Sequence, residues 1–237
     1  MTDVRSVLSF VIPVLNEADR LPSLLGELRQ GFPDAELIVV DGGSGDDSVA
    51  KAMPMANSVL LSSPGRAQQM NLGAACATGD WLAFLHADTQ PLFDQSELEP
   101  FLHRDMHWFF CQISLKGSSA GLAMVSASMN KRSTATRVAT GDQLLFVKRE
   151  VFASLNGFAA IPLMEDVDIC KRLRSLSSGG VIPLKVASSG RRWDEQGLWR
   201  TILRMWALRL AFFLGVSPQR LWQHYYGQGA ALSSGAE

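Results

Sequence analysis

At 237 residues, 47% hydrophobic and 19% charged, the chain is long enough to bury a substantial core and too apolar to be disordered. Its 22 basic and 23 acidic residues nearly cancel, which excludes a strongly basic nucleic-acid binder. No apolar run reaches the ~20 residues that span a bilayer, and MTDVRSVLSFVIPVLNE lacks the basic start and small-residue cleavage site of a secretory leader, so a cytoplasmic location is expected.

Short β-branched runs alternate with helical stretches through the first half, the pattern of an α/β fold whose parallel sheet is covered by helices. Ser6 to Ile12 reads as the first buried strand. Pro22 suits the first turn of a helix, and Leu21, Leu24, Leu25 and Leu28 follow at helical spacing to about Gln30. Glu36 to Val40 is a second strand ending at Asp41, and Asp46 or Asp47 can cap a helix through Ala52. Ser58 to Leu61 is a third strand, Arg66 to Ala77 a small-residue helix, and Trp81 to Leu85 a fourth strand running into His86-Ala87-Asp88-Thr89.

The second half is less regular, with no element predicted between Thr89 and Trp108. Strands are expected at Trp108 to Ile113, Gln143 to Val147 and Val181 to Leu184, with helices at Arg149 to Leu155 and Glu165 to Leu176. The stretch Leu115 to Arg137 reads as loop. From Glu195 the pattern is helical and apolar, and the small, polar stretch Gly227 to Glu237 reads as a frayed tail. The expected division is a domain over 1–190, a helical appendage over 191–226 and a tail over 227–237. Cys76, Cys111 and Cys170 form no C-x-x-C pair and read as packing residues.

Ligands of open α/β sheets bind at the carboxyl ends of the strands, which directs attention to the polar residues that follow each one. The turn Asp41-Gly42-Gly43-Ser44-Gly45-Asp46-Asp47 has too many carboxylates to cradle a pyrophosphate. Either Asp41 accepts a hydrogen bond from a nucleobase N–H while the glycines admit a flat ring, or the segment is an ordinary capped turn. His86-x-Asp88 offers two metal ligands on one side of a strand end, or a surface pair without metal. Glu165, Asp166 and Asp168 either complement a helix dipole or supply a general base, and Gly141-Asp142-Gln143 can orient the same acceptor.

Five ordered pieces, IPVLNE, VVDGGSGD, GRAQQMNLGAACATGDWLAFLHADT, GDQLLFVKREVFASLNGF and MEDVDICKRL, resemble the inverting family 2 glycosyltransferases of the type-A nucleotide-sugar fold. The resemblance runs from Ser9 to about Leu176. It implies a mostly parallel, Rossmann-like mixed sheet flanked by helices and a nucleotide diphosphate sugar donor, most simply a UDP sugar. Pro13, Asn16 and Glu17 would line the nucleoside pocket, Asp41 with Gly43 would read the base, and Arg66 and Asn71 would lie near base and diphosphate. His86, Ala87 and Asp88 stand where the family has D-x-D; Asp88 would hold a divalent cation, Mn²⁺ or Mg²⁺, and His86 replaces the first acid. Asp166, beside Glu165, matches the catalytic base. Gly141, Asp142, Gln143, Arg192 and Trp193 would lie on the acceptor side. The H-A-D-T, GDQ and RRW pieces resemble a small bacterial subgroup, some of whose members are associated with arsenosugar biosynthesis. Arg191-Arg192-Trp193 is also similar to the Q-x-x-R-W motif of processive synthases, but the glutamine and the membrane spans are missing.

Two rival classes stand beside this expectation: an S-adenosylmethionine-dependent methyltransferase using the 41–45 loop, and a catalytically silent nucleotide-binding module. The stretch 198–216, with Arg200, Arg204 and Arg209 among Trp, Leu and Phe, has two readings. It packs on the domain or another subunit, or it lies at a membrane surface and presents the site to a lipid-linked acceptor.

Overall fold

The computed structural model describes residues 7–118, 121–176, 179–190 and 198–230; Arg191, Arg192 and Trp193 lie outside the described residues. The first half forms β1 (Leu8–Val14), α1 (Leu21–Gly31), β2 (Glu36–Asp41), α2 (Ser48–Ala52), β3 (Ser58–Leu61), α3 (Arg66–Cys76) and β4 (Trp81–Phe84). Then come β5 (Thr89–Pro91), α4 (Gln95–Leu102), β6 (Trp108–Lys116), α5 (Leu122–Thr136) and a 3-10 turn at Gly141–Gln143. The chain continues through β7 (Leu145–Lys148), α6 (Arg149–Ser154), α7 (Glu165–Leu176) and β8 (Gly179–Ser189), and finishes in α8 (Leu198–Phe213) and α9 (Pro218–Ala230).

All eight strands join one sheet in the order β3-β2-β1-β4-β7-β6-β8-β5. Strands β3, β2, β1 and β4 run parallel, β7 is antiparallel to both β4 and β6, β8 is parallel to β6, and β5 is antiparallel to β8. Alternation along the buried strands splits the core between the two faces. Phe10, Ile12, Leu37 and Val39 pack with the leucines of α1 and with Leu98, Phe101, Leu122 and Val125 of α4 and α5. Val11, Ile38 and Val40 pack with Met70 of α3, Phe152 of α6, and Val167 and Leu173 of α7. Each such fully buried side chain contributes ~1.5–3 kcal/mol, so this doubly covered sheet is a rigid platform for whatever its loops hold. Gly73 sets the approach of α3: a Cβ there would sit 2.5 Å from Val11 Cγ1 and 2.9 Å from Val40 Cγ2.

Several elements, the unpredicted β5 among them, depart from the sequence expectation. The segment 115–137, expected as loop, completes β6 and forms α5, whose buried positions Leu122, Val125, Ser126 and Ser133 include only two apolar residues. Helix α4 is signalled by a capping box between Asp94 and Glu97 but carries an internal Pro100, which removes one i→i−4 hydrogen bond and obscures the helical pattern. Strand β8 is much longer than Val181 to Leu184 because it pairs with β6 on one edge and β5 on the other. Cys76 is exposed rather than packed, while Cys111 and Cys170 are buried as expected. Helix α9 extends into the stretch expected to fray, and residues 231–237 lie outside the described ones.

Candidate active site

The loops after β1 and β2 are stitched together. Asn16, in a left-handed backbone conformation at φ 56, donates its N–H to Ser44 Oγ (2.8 Å) and accepts from the Gly45 N–H (2.8 Å). Glu17 N–H donates to Ser48 Oγ (2.9 Å) and Ala18 N–H to Asp46 Oδ2 (3.1 Å). Asp41, buried at the end of β2, accepts from the N–H groups of Gly43 and Ser44 at 2.9 Å each and from Ser44 Oγ. A carboxylate offers about four lone-pair sites, so Asp41 folds its own turn and keeps capacity for one further donor. Gln69 of α3 ties the two strand ends from beneath, donating to the carbonyls of Val14 (2.9 Å) and Val40 (2.8 Å). Sequence reasoning missed Gln69; a glutamine inside a small-residue helix gives no sign that it is buried.

The antiparallel register of β4 and β7 sets Phe84 opposite Leu145. Residues just beyond Phe84 therefore meet residues just before Leu145, which brings His86 and Asp88 against the Gly141–Gln143 turn. His86 is buried, with Nδ1 3.4 Å from Asp142 Oδ1. Ligand atoms of His86, Asp88 and Asp142 all lie within 4.8 Å of one another. One imidazole nitrogen and two carboxylates at that spacing fit a divalent cation. Asp142 thus joins His86 and Asp88 at the end of β4, where the sequence offered those two as metal ligands and put Asp142 on the acceptor side. The close approach requires glycine at 141, since a Cβ there would lie 2.2 Å from His86 Cε1.

The same turn reaches a second carboxylate. Gly141 N–H donates to Asp166 Oδ2 (3.1 Å), and Val167 N–H donates to Asp166 Oδ1 (2.8 Å). Asp166 and Glu165 open α7, immediately after Met164 at φ 69, and Leu144 on the other side of the turn has φ 45. Non-glycine residues in this region carry backbone strain, which is often stored at functional sites. Burial raises the pKa of Glu165, with the Asp166 charge adding to it and Arg66 and His86 opposing. Burial likewise raises Asp166, against the two backbone N–H groups, Arg66 and His86. Arg66, exposed at the start of α3, therefore acts on both acids across the cleft. Cys170, one turn further along α7, has its thiol pushed up to about 12 by burial. Met70, Phe84 and Phe158 form the apolar wall of the small cavity into which His86, Glu165 and Asp166 open.

Four of the residues expected at the site carry structural duties. Gln143, expected on the acceptor side, is fully buried; its amide donates to Cys111 O (3.3 Å) and accepts from Ser133 Oγ (2.8 Å) and Thr140 N–H (3.0 Å), which fixes the turn. Asn71, expected beside base and diphosphate, commits both ends of its amide to the backbone of Phe158 at 2.9 Å each and braces the loop after α6. Pro13 is buried within β1, paired in register with Val40, and Ala87 packs into the apolar core. Asp168 is paired with Arg172 at 2.7 Å, and Arg172 Nη1 also holds the carbonyls of Leu155 and Gly157. Arg132 of α5 went unpredicted because its segment was expected to be loop. It lies within electrostatic reach of Asp166, burial lowers its pKa, and its buried Nε has no hydrogen-bond partner among the described residues.

Residues 9–122 match the family model described as glycosyl transferase family 2. A PGL/p-HBAD biosynthesis glycosyltransferase of Mycobacterium bovis is 41% identical over 88 residues, 34% of this chain and 34% of that one. The matched stretch thus spans about a third of that relative's length. Among solved structures, mannosyltransferase PcManGT of Pyrobaculum calidifontis, in complex with GDP-Man and Mn²⁺, superposes with a TM-score of 0.62 at 17% identity, covering 88% of this chain and 62% of the other. S. aureus TarS 1-349 in complex with UDP gives 0.62 at 15% identity, covering 77% of this chain and 60% of the other. At such identities these likenesses establish the type-A glycosyltransferase fold and nothing finer.

Proposed function

We propose that the chain transfers a sugar, with inversion, from a nucleotide diphosphate sugar to an acceptor hydroxyl, a reading supported by the match of residues 9–122 to the glycosyl transferase family 2 model. The observation that carries the reading is the Gly141–Asp142 pair: Asp142 stands with His86 and Asp88 at 4.8 Å or less, while the adjacent Gly141 N–H holds Asp166. One short turn thereby sets a cation-binding cluster and a raised-pKa carboxylate on either side of the same cleft.

In this reading the loops after β1 and β2 hold the nucleoside, with Asp41 taking the base N–H and Asn16 and Glu17 shaping the rim. Asp88, His86 and Asp142 would hold a divalent cation, which when bound neutralises the leaving diphosphate. A set containing an imidazole favours Mn²⁺ over Mg²⁺. Asp166 removes the acceptor's hydroxyl proton, the freed oxygen bonds to the anomeric carbon from the face opposite the diphosphate, and the carbon–oxygen bond to the diphosphate breaks. Its raised pKa makes Asp166 a stronger base than an ordinary carboxylate. Arg66 keeps both acids from being raised further. A UDP sugar is the donor favoured by the sequence resemblance, and the H-A-D-T, GDQ and RRW pieces resemble a small bacterial subgroup, some of whose members are associated with arsenosugar biosynthesis. The family match weighs against methyl transfer, which would leave the His86, Asp88 and Asp142 cluster without a task.

Asp166→Asn tests the reading. Donor binding with Mn²⁺ should persist within about threefold, while transfer falls ~10²–10⁴-fold, the usual contribution of a general base. Transfer at near wild-type rate by Asp166→Asn would remove the assigned base.

A further inference from the structure

Helix α8 has two apolar sides. Thr201 and Leu208 are buried, and Leu208 with Met205 and Phe212 packs on the core formed by α3, α6 and α7. On the opposite side Leu203, Trp206, Leu210, Phe213 and Leu214 recur every three or four residues and are 60–76% exposed. Seven of the fourteen exposed large hydrophobic side chains among the described residues fall between Leu203 and Trp222. A soluble protein rarely shows so concentrated an apolar patch without something to cover it.

Charge indicates what that is. The stretch 198–230 contains Arg200, Arg204, Arg209 and Arg220 and no aspartate or glutamate, so it is formally +4, and the chain's net −1 leaves −5 on everything else. Arg204 is committed internally, donating to Tyr225 O (2.6 Å) and lying 4.4 Å over the Tyr225 ring, which joins α8 to α9. At ~100° per residue, Arg200 and Arg209 fall about a quarter turn to either side of the exposed apolar stripe. An apolar strip edged by arginines, with Trp206 and Trp222 exposed beside it, is the pattern of a helix lying in the plane of a membrane interface. With 16 residues α8 is too short to span, and no helix among the described residues is long and apolar enough to cross a membrane. A second copy is a poorer occupant, because pairing this face with itself would bring the arginines of both together with no acid to meet them.

We propose that the outward face of α8, with the adjoining part of α9, docks the protein on an anionic lipid bilayer. The negative remainder is repelled from the same surface, so the appendage is the part that faces it. Docking does not depend on which reaction the cleft performs.

Flotation of the full chain with vesicles tests this. In 0.1 M salt the protein should float with phosphatidylcholine–phosphatidylglycerol vesicles, float far less with phosphatidylcholine alone, and be released at 1 M salt, where screening shortens to ~3 Å. The double variant Leu210→Glu/Phe213→Glu should remain unbound with an unchanged far-ultraviolet circular dichroism spectrum. Arg200→Ala/Arg209→Ala, which leaves the apolar strip intact, should lower the partition about fivefold for each arginine removed. Absence of flotation with anionic vesicles, or binding indifferent to lipid charge, would overturn the proposal. So would a wild-type dimer in light scattering that Leu210→Glu/Phe213→Glu converts to monomer, which would make this face a self-association surface.

Discussion

The two halves of the sheet meet at β4 and β7 and handle their polar groups in opposite ways. On the β3-β2-β1-β4 side, the loop acids and amides are satisfied by backbone N–H groups: Asp46 and Asn16 bond across to the neighbouring loop, and Asp41 bonds within its own turn. On the other side, Glu165 and Asp166 are raised by burial, and Leu144 and Met164 hold left-handed backbone beside them. The first half is a preformed cradle, and the second stores unfavourable electrostatics and strain where bond-making is proposed. A single glycine, Gly141, joins the two by packing on His86 and bonding Asp166.

Gly141→Ala should therefore break the comparison most severely. The new Cβ cannot fit 2.2 Å from His86 Cε1, so the turn must move, carrying both Asp142 and the Asp166 contact with it. Loss of at least about tenfold in Mn²⁺-dependent nucleotide affinity and about a hundredfold in turnover is expected, since small misplacements of reacting groups cost that much. The matched control in the first half is Gly43→Ala, where nothing lies within 4 Å and only the φ of +95 resists. That variant should lose about 1–2 kcal/mol of stability from backbone strain and keep the pH dependence of turnover. Calorimetry with nucleotide, steady-state kinetics and thermal melts of the two variants separate these outcomes.

A smaller effect sharpens the contrast. Glu165 has its pKa raised by burial and by Asp166, so ionising it costs the folded state more than the unfolded one. The wild type is then fully stable, as far as this group goes, below the unfolded pKa of ~4.3 and loses stability as pH rises through the higher folded value. Glu165→Gln should raise Tm at pH 7 by roughly 2–4 °C, corresponding to about 1 kcal/mol in a chain of this size, and the gain should vanish near pH 4. Removing the neighbouring negative charge should also shift the acid limb of turnover to lower pH. Equal melting of the two proteins at pH 7 would show that Glu165 bears no such cost.

Much of the cradle was legible because parallel strands buried on both faces read as short apolar runs, and the polar residues after each run mark the binding edge. That logic singled out Asp41, Asn16, Glu17, His86 and Asp88 as candidates, and the first turn of α7 singled out Glu165 and Asp166. It did not reveal which of these side chains face inward to brace the fold: Asn71 and Gln143 have the composition of binding residues and the hydrogen bonds of structural ones. The partnership of Asp142 with His86 and Asp88 depends on the antiparallel β4–β7 register, a long-range pairing without a local signature. Helix α5 escaped for a simpler reason, since half of its buried positions are serines.

The central claim is that the end of β4 and the Gly141–Gln143 turn form one cation-dependent site for a nucleotide diphosphate. Calorimetric titration of wild type and Asp142→Asn with UDP and with GDP, each with and without Mn²⁺, tests it most directly. Wild type should bind one of the two nucleotides at least about tenfold more tightly with Mn²⁺, and Asp142→Asn should lose most of that increment while retaining the weak metal-free binding. Binding indifferent to Mn²⁺, or an increment unchanged in Asp142→Asn, would contradict the account.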